Sequence, residues 1–265
     1  MHDDEQQRFA FASDLIAEAG AVALEYFGRV SSLAVNSKGL QDVVTEADVA
    51  VENLIKDRLA DRYPSDAFLG EETGHADFPG STGIWVVDPI DGTQEFVQGI
   101  PEWCVSIGLV EDGIAVAGGV MNPATGETVL GAVGQGVTLN GVPVARTRRA
   151  GLDGALVLAS RSEVTRGEWA RFAGAPFTVR ACGSVAYKLA LVAAGLADAT
   201  WTLVPKSEWD VAGGAALMRA AGGSVLHADG SEPRFNRADP RLPDFLAGSS
   251  ELLADVRATW LTGPR

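Results

Sequence analysis

The chain has 265 residues, 46% of them hydrophobic and 21% charged, the composition of a globular protein with a sizeable core. Its 21 Lys and Arg stand against 35 Asp and Glu, and the net charge of −14 excludes an electrostatic binder of nucleic acid or of an anionic membrane surface. No apolar run approaches the roughly 18 residues of a spanning helix, and the two cysteines, Cys104 and Cys182, offer neither a disulfide framework nor a zinc motif.

Residues 5–27 read as an amphipathic helix, with Phe9, Ala12, Ile16, Ala19, Ala23 and Phe27 at helical spacing and Gly28 as the stop. A second helix is predicted to open at Thr45, where Thr45-x-x-Asp48 approximates a capping box, and to close at Pro64. Buried strands are predicted at 67–69 and 84–87, each running directly into acids. A meander follows over 104–110, 114–121, 127–133 and 137–144, punctuated by Asp112-Gly113, Asn122-Pro123 and Asn140-Gly141. Beyond 146–154 strands and helices alternate, at 155–159, 165–173, 184–194, 197–203, 210–221, 224–226, 245–248 and 250–260. The expected class is α/β, with an α+β half over 1–146 and an α/β half over 147–265 packed as one unit. The acidic opening Met1-His2-Asp3-Asp4-Glu5 lacks the basic start of a secretory leader, and reduced thiols suit a cytoplasmic location.

The most informative segment is Trp85-Val86-Val87-Asp88-Pro89-Ile90-Asp91-Gly92-Thr93. A hydrophobic strand ends on one carboxylate, a second follows three residues later, and Gly92 and Thr93 open a helix. Carboxylates hold hard cations, and the free N–H groups of a helix start hold phosphate oxygens. Gly70-Glu71-Glu72 repeats the strand-to-acid pattern, while Asp48 and Asp210 stand in first turns of helices. Taken singly, each acid also suits a solvated loop or a helix dipole.

Together these segments resemble the inositol monophosphatase family, the Mg²⁺-dependent, lithium-sensitive phosphatases related to fructose-1,6-bisphosphatase. The resemblance rests on 85–96 (WVVDPIDGTQEF) and 209–223 (WDVAGGAALMRAAGG), supported by 43–52 (VVTEADVAVE) and 70–72 (GEE), in the family's order. It implies the layered αβαβα sandwich of the sugar-phosphatase superfamily, a homodimer, and hydrolysis of a small phosphate monoester by water activated at two or three Mg²⁺, with Mn²⁺ as a substitute. Glu71, Asp88 and the carbonyl of Ile90 resemble the ligands of a first metal. Asp88 also resembles a bridge to a second, held by Asp91 and Asp210. Thr93 and Asp48 match the pair that orients and deprotonates the water, with Glu71 as a further catalytic group, and the N–H groups of Gly92 and Thr93 match the phosphate cradle. Lys38, in Ser37-Lys38-Gly39, resembles the lysine of the family's mobile loop.

The ligand set is all oxygen, which favours Mg²⁺ or Mn²⁺ over Zn²⁺; His2, His75 and His227 lie outside the motifs. Without a cation, the clustered carboxylates should titrate high. Substrate signals are more divided. Seven residues before Asp210, where inositol monophosphatases carry a carboxylate that contacts ring hydroxyls, stands Leu203. Glu95, Ser160-Arg161-Ser162, Gly183-Ser184, Lys188 and Ser207-Glu208 resemble 3′(2′),5′-bisphosphate nucleotidases instead, so Gly183, Ser184, Lys188 and Glu208 are candidate substrate contacts. Histidinol phosphate is a further candidate substrate. Some relatives act as regulatory factors on the transcription machinery, but here every catalytic position is kept.

Overall fold

The structure, a computed structural model, describes residues 3–32, 37–76, 81, 83–145 and 149–261. The chain begins with two long helices, α1 (Asp3–Ser32) and α2 (Ser37–Arg62). Both exceed their predicted bounds. Gly28 lies inside α1 with open space beside it, and a glycine there costs only about 1 kcal/mol against alanine. Thr45 is likewise interior to α2, so its capping pattern does not start the helix.

An eight-stranded sheet follows, built from β1 (Ala67–Gly70), β2 (Gly74–Ala76), β3 (Gly83–Asp91), β4 (Cys104–Glu111), β5 (Ile114–Asn122), β6 (Glu127–Ala132), β7 (Gly136–Leu139) and β8 (Val142–Pro143), with the short helix α3 (Thr93–Val97) between β3 and β4. Its order is β2-β1-β3-β4-β5-β6-β7-β8, antiparallel except for the parallel β1–β3 pair. The predicted last meander strand is split at Asn140-Gly141, where both residues take positive φ.

The second half contributes β9 (Leu156–Ser160), α4 (Arg161–Thr165), a 3₁₀ turn at Glu168–Phe172, β10 (Thr178–Cys182), α5 (Val185–Ala193), β11 (Ala199–Thr202), β12 (Lys206–Ser207), α6 (Glu208–Ala220), β13 (Ser224–Leu226), β14 (Arg241–Leu242), β15 (Phe245–Gly248) and α7 (Ser250–Val256). Five of these strands form a mixed sheet, β10-β9-β11-β15-β13. Strand β10 escaped sequence reading because it is an edge: Thr178, Val179 and Arg180 are all exposed and show no alternation.

Three apolar cores hold five layers together. One lies between α1/α2 and the large sheet, one holds α5 and α6 between the two sheets, and the third covers the outer face of the small sheet. This is the αβαβα stack. No helix among the described residues is long and apolar enough to cross a membrane, and both cysteines are free and buried.

Candidate active site

Strand β3 is buried along its whole length because its alternate residues serve two cores. Trp85 and Val87 face α1 and α2, while Ile84 and Val86 face the α5/α6 layer. The β3–β4 register runs unbroken to Asp88 opposite Ser106 and resumes at Asp91 opposite Cys104. One extra residue is therefore inserted on β3 at Pro89-Ile90, and proline cannot donate to the ladder. On a regular strand two residues three apart would face opposite sides. The bulge cancels that alternation and turns Asp88 and Asp91 to the same side, and the backbone N–H of Ile90 donates to Asp88 Oδ1 at 3.1 Å.

Asp210 arrives from the other half of the chain on α6. That helix lies almost backbone to backbone on β4 and β5. A Cβ on Gly118 would stand 2.3 Å from the Gly213 carbonyl, and one on Gly108 would stand 2.8 Å from the Gly213 nitrogen. On the opposite side a Cβ on Gly214 would strike Leu189 of α5 at 2.4 Å. The small-residue run that follows Asp210 thus sets the depth of α6. Ligand oxygens of Asp88, Asp91 and Asp210 consequently all lie within 4.8 Å of one another. Asp210 Oδ2 accepts the Ser207 N–H at 2.9 Å, a helix-capping bond that leaves its other oxygen to the cluster.

Asp48 from α2 and Glu71 from the turn after β1 complete the acidic group. Asp48 is buried, and its carboxyl is raised from 3.8 to about 8, first by loss of water and then by Glu72, Glu71 and Glu52. Glu71 is an exposed residue of the turn, yet its carboxyl is raised from 4.5 to about 7, first by loss of water and then by Asp210 and Asp91, with Asp88 acting against them. Asp210 is raised from 3.8 to about 7 by burial and then by Asp91. Asp88, fully enclosed, is pushed well above its ordinary range by burial, with Asp91, Glu71, Asp210 and Asp48 adding to it. The expected high titration is therefore present, and it is the signature of hard oxygen donors gathered without a compensating cation. An all-carboxylate set of this kind fits a divalent metal ion.

Asp91 is anchored from the second half. Ser184 Oγ donates to its Oδ2 at 2.7 Å, and the Ala186 N–H, in the first turn of α5, donates to the same oxygen. Ser184 holds φ 55°, a left-handed conformation rare for a side chain larger than glycine, and its hydroxyl also accepts the Tyr187 N–H at 2.9 Å. Gly183 is required there, since a Cβ would stand 2.4 Å from Glu95 Cγ and 2.5 Å from the Glu102 carbonyl. Gly183 and Ser184 thus border the acids, with Ser184 tied to Asp91.

Gly92 caps α3 in a left-handed conformation at φ 98°, and no side chain caps the first turn of that helix. The Thr93 hydroxyl donates to the Ile90 carbonyl at 3.3 Å rather than to Asp48. Two sequence candidates need correction. Lys188 is buried, with Nζ donating to the Ser184 carbonyl; it lies beneath the site instead of lining an open pocket. Glu208 is fully buried, its two oxygens accepting the Asn236 and Arg237 N–H groups at 2.6 and 3.0 Å, so it braces the chain after α6 and has no free edge for a substrate. Lys38 falls in the first turn of α2 rather than in a loop, and its side chain lies outside the described residues, as does His2. His75 contacts Asn236 at 3.0 Å and His227 contacts the Asp244 carbonyl at 2.9 Å, neither of them among the acids.

Sequence reading passed over two buried or half-buried acids. Glu52 accepts the N–H groups of Glu72 and Thr73, and Glu102 accepts the Gly183 N–H at 2.8 Å and pairs with Arg161. For Glu52 a signal existed: it stands one turn after Asp48, beside Val51 on the apolar stripe of α2.

The family model for the inositol monophosphatase family matches residues 4–260. The chain belongs to the inositol monophosphatase family. It is 38% identical over 243 residues to inositol monophosphatase 3 of Solanum lycopersicum, covering 86% of this chain and 88% of that one. It is also 35% identical over 228 residues to the Nus factor SuhB of Pseudomonas aeruginosa, covering 80% and 82%. Among solved structures, inositol monophosphatase from Anabaena (Nostoc) superposes with a TM-score of 0.82 at 28% identity, covering 98% of each chain. Members of this family are metal-dependent phosphoric monoester hydrolases, and the chain is an enzyme of that class with the family's layered sandwich.

Proposed function

We propose that the protein is a Mg²⁺-dependent phosphomonoesterase whose substrate is a small alcohol phosphate of the inositol 1-phosphate kind. The observation that carries this reading is the meeting of Asp88, Asp91 and Asp210 beside the uncapped start of α3. Glu71, Asp88, the Ile90 carbonyl, Asp91 and Asp210 would hold the metal. A divalent cation, when bound, supplies charge neutralisation at the phosphate and a lowered pKa for the attacking water. The protein's own part is positioning and proton transfer. The N–H groups of Gly92 and Thr93 bind phosphate oxygens, and the bend at Gly92 aims them. Asp48, raised to about 8 beside the other acids, would be freed to accept a proton near neutral pH by a cation bound among them, which favours its ionised form. The Thr93 hydroxyl is too weak an acid to serve as the base; it orients the water and passes a proton on to Asp48 once substrate draws the two together. No covalent phosphoenzyme is required.

The state of the cations supports a monoester over a bisphosphate. Arg161, which could have met a second phosphate, pairs with Glu102 and lies 3.7 Å from Glu95. Lys188, the other candidate, is buried and bonded to backbone. Retention of every acid of the cluster supports an enzyme rather than a purely regulatory factor. On family likeness we further propose a cytoplasmic homodimer, sensitive to lithium, in which 1–146 supplies most of the metal and phosphate site and 147–265 supplies the substrate side and Asp210. The test is a set of initial rates on inositol 1-phosphate, adenosine 3′,5′-bisphosphate and histidinol phosphate at equal Mg²⁺. A preference of about 100-fold for inositol 1-phosphate, roughly 2.7 kcal/mol of transition-state discrimination, is expected. A preference of that size for either other ester would replace the substrate reading, and activity undiminished by a chelator would overturn the metal reading.

A further inference from the structure

Helix α2 presents Asp48, Glu52 and Lys56 on successive turns, and all three face the Glu71-Glu72-Thr73 turn between β1 and β2. Asp48 feels the charges of Glu72 and Glu71. Lys56 Nζ donates to Thr73 Oγ1 at 3.2 Å. Between them Glu52 has no exposed surface, and its carboxylate accepts the Glu72 N–H at 2.9 Å and the Thr73 N–H at 2.6 Å, the two peptide groups that directly follow Glu71. Charge-assisted bonds of this kind are the strong ones, and two on one carboxylate fix a direction as well as a distance. The chain makes room for the clasp at Gly70: a Cβ there would lie 2.4 Å from Glu52 Oε1 and from its carboxyl carbon. The residues on both sides of Glu71 are therefore shaped around the end of one buried side chain.

We infer that Glu52 is a positioning residue that locks the turn carrying Glu71 and couples it rigidly, through α2, to Asp48. This rests on the reading of Glu71 as a metal ligand. The carboxylate touches no reacting atom. Its work is to hold the Glu71 backbone so that the side chain meets Asp88 and Asp210 without a search, and to keep the ligand and the proton acceptor at a constant separation, because Asp48 stands on α2 and the Glu71 turn is clasped to the same helix. Outer-shell partners of metal ligands influence affinity by about 10–100-fold.

The experiment uses the full-length protein stripped with a chelator and titrated calorimetrically with Mg²⁺ alone. Half-saturating Mg²⁺ for hydrolysis and thermal melts in the chelator are measured in parallel. Glu52→Gln replaces one acceptor oxygen by an amide that opposes an N–H. It is expected to weaken Mg²⁺ binding about 10–100-fold and to raise half-saturating Mg²⁺ to match, with kcat at saturating Mg²⁺ little changed. Gly70→Ala attacks the same clasp from the opposite side and should reproduce the shift, so it decides the matter if Glu52→Gln does not fold. Lower melting temperatures with an unchanged Mg²⁺ isotherm in folded variants would reduce Glu52 to a structural brace and overturn the inference. Failure of the unaltered protein itself to bind Mg²⁺ would instead overturn the metal reading on which the inference rests.

Discussion

Removing the metal should make the protein's stability fall as pH rises from 5 to 8.5. Asp48 titrates at about 8 and Asp210 at about 7 in the fold, against 3.8 for an ordinary aspartate, and burial is the main cause for both. Between those limits the native state holds protons that the unfolded chain has released. Stability then declines with pH: the contribution is present in full below about pH 4 and is lost as pH passes through 7 and 8. At about 1.4 kcal/mol per unit, Asp48 alone can lose at most roughly 4 kcal/mol between pH 5 and its titration at about 8. Water penetration and side-chain relaxation reduce that figure, and about 3 kcal/mol is the expected net loss for the cluster. In a domain of this size that corresponds to a melting temperature lower by roughly 6–12 °C. The assay is calorimetric melting of chelator-treated protein across this range at constant ionic strength. Asp48→Asn should flatten the dependence, because the substituted amide does not ionise. Saturating Mg²⁺ should restore more stability at pH 8 than at pH 5, since protons and metal compete for the same oxygens. A metal-free melting temperature that is flat or rises between pH 5 and 8.5, or an Asp48→Asn slope equal to that of the unaltered protein, would refute the reasoning.

Three substitutions probe the cluster directly. Asp91→Asn is expected to lower kcat/KM at moderate Mg²⁺ by at least about 100-fold, the upper end of an outer-shell effect, while Asp61→Asn on the exposed face of α2 should leave rates unchanged; steady-state kinetics decides. Ser184→Ala removes the 2.7 Å bond to Asp91 and should weaken Mg²⁺ binding about tenfold. Ser184→Gly should lose the same affinity yet melt higher than Ser184→Ala, because glycine relieves the left-handed backbone at φ 55°. Gly118→Ala would press a methyl group to 2.3 Å from the Gly213 carbonyl. It should destabilise the fold by roughly 1–3 kcal/mol and, by lifting α6, move Asp210 off the cluster, so activity in the folded fraction should drop with it.

The parts of this architecture legible in the sequence are those with a local cause. The apolar run into Asp88 and Asp91 and the small residues after Asp210 announce themselves because each needs a particular neighbour: two cores around β3, a backbone-close sheet beneath α6. Helix limits are not legible where a cap-like or stop-like residue lies in a helix that continues past it, as at Gly28 and Thr45. Edge strand β10 carries no pattern because solvent imposes none. Within the site, the acids could be named but their wiring could not. Glu52 and Glu102 look like ordinary polar residues until burial shows what their atoms hold, and Ser184, a substrate candidate by sequence, spends its hydroxyl on Asp91. Lys188 and Glu208 show the converse, since they look like ligand contacts until burial shows them spent on the chain itself.

The distribution of charge explains why such a site depends on a metal. With a net charge of −14, the molecule as a whole repels a phosphate ester. Among the described residues, two basic side chains near the site are engaged, Arg161 with Glu102 and Glu95, and Lys188 with the Ser184 carbonyl, while the charge of Lys206 opposes only part of the upward push on Asp210. A lysine or arginine placed among the acids would relieve their repulsion permanently and hold them charged, but it would also fill the space a substrate needs. Left without a compensating charge, Glu71 and Asp210 titrate at about 7. These oxygens would hold a divalent ion in exchange for protons, and the ion would supply positive charge for the phosphate. The mutual repulsion of these acids favours a cation among them, and the β3 bulge and the α6 glycines hold Asp88, Asp91 and Asp210 together against it.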